Sequence, residues 1–380
     1  MNVLIISTEP TPYKTDLYNA FCEVPSWNVF VYYASLKGPT PDASHNFNKF
    51  PERKYVFSYH HGKGFWGQLF STYNVICLLR KSPDFLIVCT ISRLPFITAV
   101  LYAVTHRIPF VLWDDHFKVS QPKSIILKIF RYFMRWLVFR FSRAVLICGS
   151  YGYKTAIAVG CPKDKLVSFP YVVDQNRLWD LANKTASDSD IKSVIHDKIV
   201  ILFSGRMIAR KGLESLLNAA SHLIKEGDDF IMIIEGDGPL KYEYEKMANE
   251  LRLNRNTIFV GFSQMDRHAY LLSVCDIVVV PSIEDPWGIV VQEGMILGKA
   301  VCASDAVGAA KDMIQNGVNG IIFPAGDWRT LANKLKMLLH NREIRVEIGN
   351  QAKHTVEVST PKRNIDNFLR KLDIKSFDKL

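Results

Sequence analysis

Three carboxylates crowd the stretch SIEDPWGIVVQEGM, Ser282 to Met295: Glu284 and Asp285 just ahead of a Pro-Trp-Gly turn, and Glu293 inside the apolar run that follows. The apolar density from Gly288 to Leu297, closed by Gly298, predicts a helix over those residues. Asp285 then precedes the helix, and the N–H groups of Gly288, Ile289 and Val290 lie in its first turn, free of intrahelical partners. An acid ahead of a helix suits the dipole, which accounts for Asp285 or Glu284. It does not account for Glu293, because a carboxylate within an apolar helix needs a partner.

Two cations supply complementary chemistry. In FSGRMIARKG, Arg206 and Lys211 sit on the connection between a strand ending at Gly205 and a helix opening near Gly212. Side-chain charge, helix dipole and free N–H groups together make a receptacle for phosphate. A solvated basic loop explains the same spacing as well. In IIEGDGPLK, Gly236 allows positive φ or close approach of a ligand, although a plain turn fits equally. Backbone donors for phosphate or sugar oxygens, one carboxylate for hydroxyls and a second for a diol would together hold a nucleotide-sugar.

These residues need strands and helices to place them. NVLIIS (2 to 7), FLIVCT (85 to 90), PFVLW (109 to 113) and AVLICG (144 to 149) are short β-rich runs separated by stretches of helical spacing. The pattern restarts after a polar segment with IVILFSG (199 to 205), FIMIIEG (230 to 236), NTIFVG (256 to 261), DIVVVPS (276 to 282), AVCAS (300 to 304) and GIIFP (320 to 324). Such alternation implies two doubly wound α/β domains, each with its ligand crevice at the C-terminal ends of its strands. A length of 380 residues suits two cores.

In combination, the motifs SGRMIARKG, EGDGPL and PSIEDPWGIVVQEGMILGKAVCASDAVGAAKDMIQNGVNGIIFPAGD resemble the C-terminal domain of the group 1 retaining glycosyltransferases of the GT-B fold, over about Ile199 to Asp327. The resemblance implies two Rossmann-like domains facing each other across a cleft: an N-terminal acceptor domain, 1–175, with a C-terminal helix near 360–380 packing back on it, and a nucleotide-sugar donor domain, 176–358. It implies a nucleotide-diphosphate sugar as co-substrate, with no other cofactor. Glu293 would hold the ribose hydroxyls, Asp285 would face the donor sugar, and Arg206 with Lys211 would clamp the diphosphate. The pattern in this family is two Glu separated by seven residues. Here the first is Asp285, one methylene shorter, and PWG fixes the register against Glu284. The fingerprint donor set is therefore Arg206, Lys211, Gly236, Asp285, Gly288, Ile289, Val290 and Glu293.

The N-terminal half matches more loosely. STEPTPYKTDLYNAF follows the first strand where relatives carry a Gly-rich loop; Glu9, Thr11 and Tyr13 are assigned to the acceptor side, with an ordinary βα loop as the competing explanation. VLWDDHFK places His116 after another strand, and the resemblance makes it the candidate catalytic His beside Asp285, Arg206 and Lys211. No metal is expected. Asp114-Asp115 is not a DxD motif, DSD (188 to 190) lies in the linker, and cations with helix N–H groups can neutralise a leaving diphosphate. GSYGYKT (149 to 155) is too short for a P-loop.

Charge is uneven. The chain carries +10 overall, and between Phe85 and Lys163 eleven Lys and Arg face only Asp114 and Asp115. SIILKIFRYFMRWLVFRF (124 to 141) reads as a basic, aromatic amphipathic helix for an anionic membrane surface, against the alternative of a domain helix with a wide buried face. No nucleic-acid motif accompanies the cations. Seven scattered cysteines, no signal segment and no long apolar span lead to the expectation of a cytoplasmic protein, peripheral on the inner face of the membrane through that helix; the resemblance adds a role in cell-surface polysaccharide synthesis. An epimerase or phosphorylase of the same fold, or a non-catalytic membrane-associated subunit that retains the nucleotide fold, would share these features.

Overall fold

The computed structural model describes residues 1–35, 53–59, 64–115, 117, 124–184 and 189–372. The chain divides into two compact units: Met1–Val172 joined by the segment from Pro361, and Val173–Thr360. Each is built on a parallel sheet.

Among the described residues, the first sheet has seven strands: β1 Asn2–Ser7, β2 Asn28–Tyr33, β3 Val56–Tyr59, β4 Phe85–Val88, β5 Phe110–Asp114, β6 Ala144–Ile147 and β7 Leu166–Ser168. Their order is β3-β2-β1-β4-β5-β6-β7. The second has six: β8 Ile199–Ser204, β9 Phe230–Glu235, β10 Thr257–Gly261, β11 Ile277–Val280, β12 Ala300–Ser304 and β13 Ile321–Phe323, in the order β10-β9-β8-β11-β12-β13. Both orders reverse beside the first strand of the unit, which opens a crevice between β1 and β4 and another between β8 and β11. The central strands are near-continuous apolar runs because helices cover both faces: all of β4, β9 and β11 is buried.

Three strands lie beyond those expected from the sequence. β3 is an edge strand with partly exposed residues, and β7 has only three residues. β2 hides a polar pattern inside its core: the buried Tyr33 hydroxyl bonds that of Tyr55 at 2.7 Å, and Tyr32 meets Ser71 Oγ at 2.9 Å.

The helix Pro361–Leu372 packs against the helix Pro12–Cys22 within the first unit. Phe368 stands edge-on to Phe21 and Phe169, and Asn364 donates to the Pro170 carbonyl at 2.7 Å. The basic helix spans Ile125–Phe141. Met134, Leu137, Val138 and Phe139 are buried, whereas Ile126, Ile129, Tyr132 and Trp136 are exposed. Among the described residues, no helix is long and apolar enough to cross a membrane.

Candidate active site

The crevice of the second unit is assembled from the loops after β8, β9 and β11. The first two loops are laced together: Gly205 N–H donates to Glu235 O at 3.0 Å, Met207 N–H to Asp237 O at 2.8 Å and Leu240 N–H to Met207 O at 3.1 Å. Gly236 has φ +131°, and a Cβ there would lie 1.9 Å from Gly205 O. The positive φ expected of this glycine is present, and the close packing of the two loops adds a second reason for it.

Lys211 ends a short 3-10 turn, Ala209–Lys211; Gly212 follows in the left-handed region and the helix Leu213–Lys225 begins. Lys211 Nζ reaches Asp285 Oδ2 at 2.5 Å, both side chains largely buried. The Asp285 backbone is fixed independently, its N–H donating to Ala306 O and its carbonyl accepting from Gly308 N–H. Diphosphate clamp and sugar acid, assigned separately from the sequence, are one ion pair here. The ammonium keeps two further protons for a ligand. Arg206, on the same loop, has a buried Nε with no hydrogen-bond partner among the described residues. A buried guanidinium donor left unsatisfied fits an incoming oxyanion.

The predicted helix runs Ile289–Ile296. Its N-cap is Gly288 at φ 80°, and no side chain caps it. Neither Glu284 nor Asp285 is therefore a capping acid, and the first-turn N–H groups, those of Ile289 and Val290 among them, are left for another acceptor. Glu284 is exposed, and its carbonyl accepts from Arg210 Nη1.

Glu293 does have the partner its apolar setting requires, and it is a residue the sequence reading missed. His268, on the helix Met265–Val274, lies between two carboxylates: Nε2 is 3.1 Å from Glu293 Oε2, and Nδ1 is 2.7 Å from Glu235 Oε2. Glu235 is the last residue of β9 and is buried. A carboxylate closing the apolar strand FIMIIE was the available signal, since it too demands a partner. Sequence spacing paired Asp285 with Glu293; the structure gives each its own cation.

Burial alone would lower the pKa of His268, but Glu235 and then Glu293 outweigh it and hold the ring well above its usual 6.5. Burial would raise Glu235, and His268 keeps it below 4.5 instead. The stability from His268 is thus complete below about pH 6.5 and is lost as pH rises through its folded pKa. That from Glu235 is complete above about pH 4.5 and is lost as pH falls through its own. Both contribute fully between those limits. Imidazole ¹⁵N shifts are expected to report a protonated His268 at pH 8, and Glu235→Gln to bring its titration down toward neutrality; a neutral ring in the wild type at pH 7 would contradict the pairing.

In the first unit, Thr11 caps the helix Pro12–Cys22, accepting from Lys14 N–H at 3.4 Å. Tyr13 packs edge-on to Tyr171 with ring centroids 4.5 Å apart, and burial, followed by the Asp115 charge, pushes its phenol upward. Glu9 is half-buried. None of these three lines the nearby cavity of about 160 Å³ at the ends of β1, β4 and β5; their neighbours do. Lys14, itself buried, donates from Nζ to Thr8 Oγ1 at 2.9 Å, and Asp115 accepts from the Tyr171 hydroxyl. Thr8, Lys14, Trp113, Asp115 and Tyr171 line that space. His116 lies outside the described residues.

The family model of glycosyl transferases group 1 matches residues 186–355. The matched stretch is less than half of the chain and lies within the second unit, Val173–Thr360. Alpha-D-kanosaminyltransferase of Streptomyces kanamyceticus is 30% identical over 186 residues, 47% of this chain and 48% of that protein. Sulfoquinovosyl transferase of Arabidopsis thaliana is 34% identical over 164 residues, 42% of this chain and 30% of that one. The chain thus spans about half or less of these curated relatives. Anabaena HepE, solved with UDP-glucose, superimposes with a TM-score of 0.76 at 19% identity, covering 100% of each chain. The fold of the chain is GT-B.

Proposed function

We propose that this chain transfers a sugar from a nucleotide-diphosphate sugar to a glycan or lipid-linked acceptor, with retention of configuration, in cell-surface polysaccharide synthesis. The observation that carries the proposal is the strand-end arrangement of the group 1 domain: the unsatisfied Arg206 Nε, the Lys211–Asp285 pair and a helix N-terminus without a side-chain cap. A guanidinium donor, the remaining N–H donors of the Lys211 ammonium and first-turn N–H groups, all on strand-end loops of one sheet, would stabilise the charge that grows on a diphosphate as the anomeric bond breaks; no metal is assigned a part. Glu293 takes the ribose diol and Asp285 the sugar hydroxyls.

Asp285 is committed to Lys211, which disfavours it as a nucleophile and supports a front-face route. The acceptor oxygen bonds to the anomeric carbon on the face that the diphosphate leaves. The C–O bond to phosphate breaks, and the acceptor's proton passes to the departing phosphate oxygen. The acceptor is assigned to the first unit, beside Thr8 and Lys14. The helix Ile125–Phe141, with apolar residues exposed and Lys128, Arg131 and Arg135 along one cavity of about 430 Å³, is assigned to an anionic membrane surface at the cytoplasmic face.

Transfer is tested by nucleotide release from UDP-, GDP- and ADP-sugars, with acceptor glycolipid in anionic or zwitterionic vesicles, with and without EDTA, and retention by the anomeric proton coupling of the product. Release that needs acceptor, survives EDTA and rises on anionic vesicles is the expected result. Conversion of the donor without acceptor would identify an epimerase, dependence on free phosphate a phosphorylase, and no turnover with any acceptor a non-catalytic subunit.

A further inference from the structure

We infer that His268 is the positioning residue that aims Glu293 at the donor's ribose, with Glu235 as its anchor. The inference rests on the nucleotide-sugar reading and adds to it two residues that neither the family motif nor the acid spacing supplies.

The proton count carries the argument. An ionised carboxylate only accepts hydrogen bonds, and a neutral imidazole donates from one nitrogen alone. His268 meets a carboxylate oxygen at each nitrogen, Glu235 at 2.7 Å and Glu293 at 3.1 Å, so both contacts are satisfied together only by the imidazolium. Two carboxylates and one imidazolium leave a single net negative charge. The side-chain exposures, 4% for Glu235 and 16% for Glu293, show where that charge is usable. Glu235 is sealed at the end of β9 and neutralised by the nearer contact, whereas Glu293 keeps its second oxygen for a ligand. A vicinal diol, with two O–H donors, is the chemistry such an oriented, partly exposed carboxylate selects.

Orientation also needs the bridge. Without the ring, Glu293 would be a carboxylate in an apolar helix with a second buried carboxylate nearby and no donor to hold either oxygen. His268 thus fixes one oxygen of Glu293 in place and leaves the other to the ligand.

Isothermal titration of the full chain with UDP, GDP and ADP, and with the 2′-deoxy form of whichever binds, provides the test. The wild type is expected to prefer ribose over 2′-deoxyribose by about tenfold, the worth of one charge-assisted hydrogen bond. His268→Gln and Glu235→Gln should each reduce that preference to about twofold by weakening the ribonucleotide more than the deoxynucleotide, which offers Glu293 only its 3′-hydroxyl. A general structural defect would weaken both alike and leave the ratio near tenfold. If circular dichroism shows that His268→Gln does not fold, Glu235→Gln decides. An unchanged preference in the folded variants overturns the inference, as does a wild type indifferent to the 2′-hydroxyl; in both cases the nucleotide-sugar reading stands. A wild type that binds none of the three nucleotides removes both.

Discussion

Arg206→Ala is expected to lower turnover by about a hundredfold to a thousandfold, the usual cost of deleting a preorganised charge from a developing oxyanion, while leaving the melting temperature nearly unchanged. The reason is that the Arg206 Nε is buried with no hydrogen-bond partner among the described residues. Truncation removes an unsatisfied donor and breaks no native hydrogen bond at that atom. Lys211→Ala should cost as much turnover but behave differently in a melt. Lys211 is the cation against the largely buried Asp285 carboxylate, so its removal strands a charge and destabilises by roughly 1–3 kcal/mol. Adding Asp285→Ala to Lys211→Ala should recover much of that stability and none of the activity. Steady-state nucleotide release beside thermal melts separates the two cations; equal loss of stability in Arg206→Ala and Lys211→Ala would refute the distinction.

Gly236→Ala should be the most damaging conservative substitution in the second unit, at roughly 3 kcal/mol or more in urea unfolding. Two penalties combine there. The backbone is at φ +131°, and the new Cβ would fall 1.9 Å from the carbonyl oxygen of Gly205. Gly227→Ala provides the control, because Gly227 also has positive φ, at +94°, but nothing lies within 4 Å of its would-be Cβ. It should cost about 1 kcal/mol, the conformational part alone. Similar costs for both would show that the loops after β8 and β9 can separate freely, and that Gly236 does not hold Arg206 in place.

The second unit was far more legible than the first. Its six strands are apolar runs between turn residues, and all six stand where the sequence placed them, within a residue or two. Ile289–Ile296 likewise agrees with the Gly288 and Gly298 boundaries. The missed strands β2, β3 and β7 share a physical cause: short length, an edge position or tyrosine hydroxyls whose partners lie far along the chain. At the site, Lys211 and Asp285 were both visible, but not their ion pair, since spacing along the chain says nothing of a contact between residues 74 apart. Spacing did show that Glu293 required a partner. It could not name His268, because a lone histidine among apolar neighbours looks like any satisfied core group until the fold brings Glu235 to its other side. The positive φ of Gly236 was legible, but not the carbonyl of Gly205 packed against it.

The return of Pro361–Leu372 onto Pro12–Cys22 has a consequence for synthesis. Phe368 completes an aromatic cluster with Phe21 and Phe169, and the backbone at Val356 and Ser359 is tied to Gln175 by hydrogen bonds of 2.6 and 3.1 Å. Residues from Val173 to Thr360 form a continuous insert, so on the ribosome every residue of that unit emerges before the first unit receives its last packing element. The part translated first must wait longest to be finished, with Phe21 and Phe169 lacking their final aromatic neighbour until then.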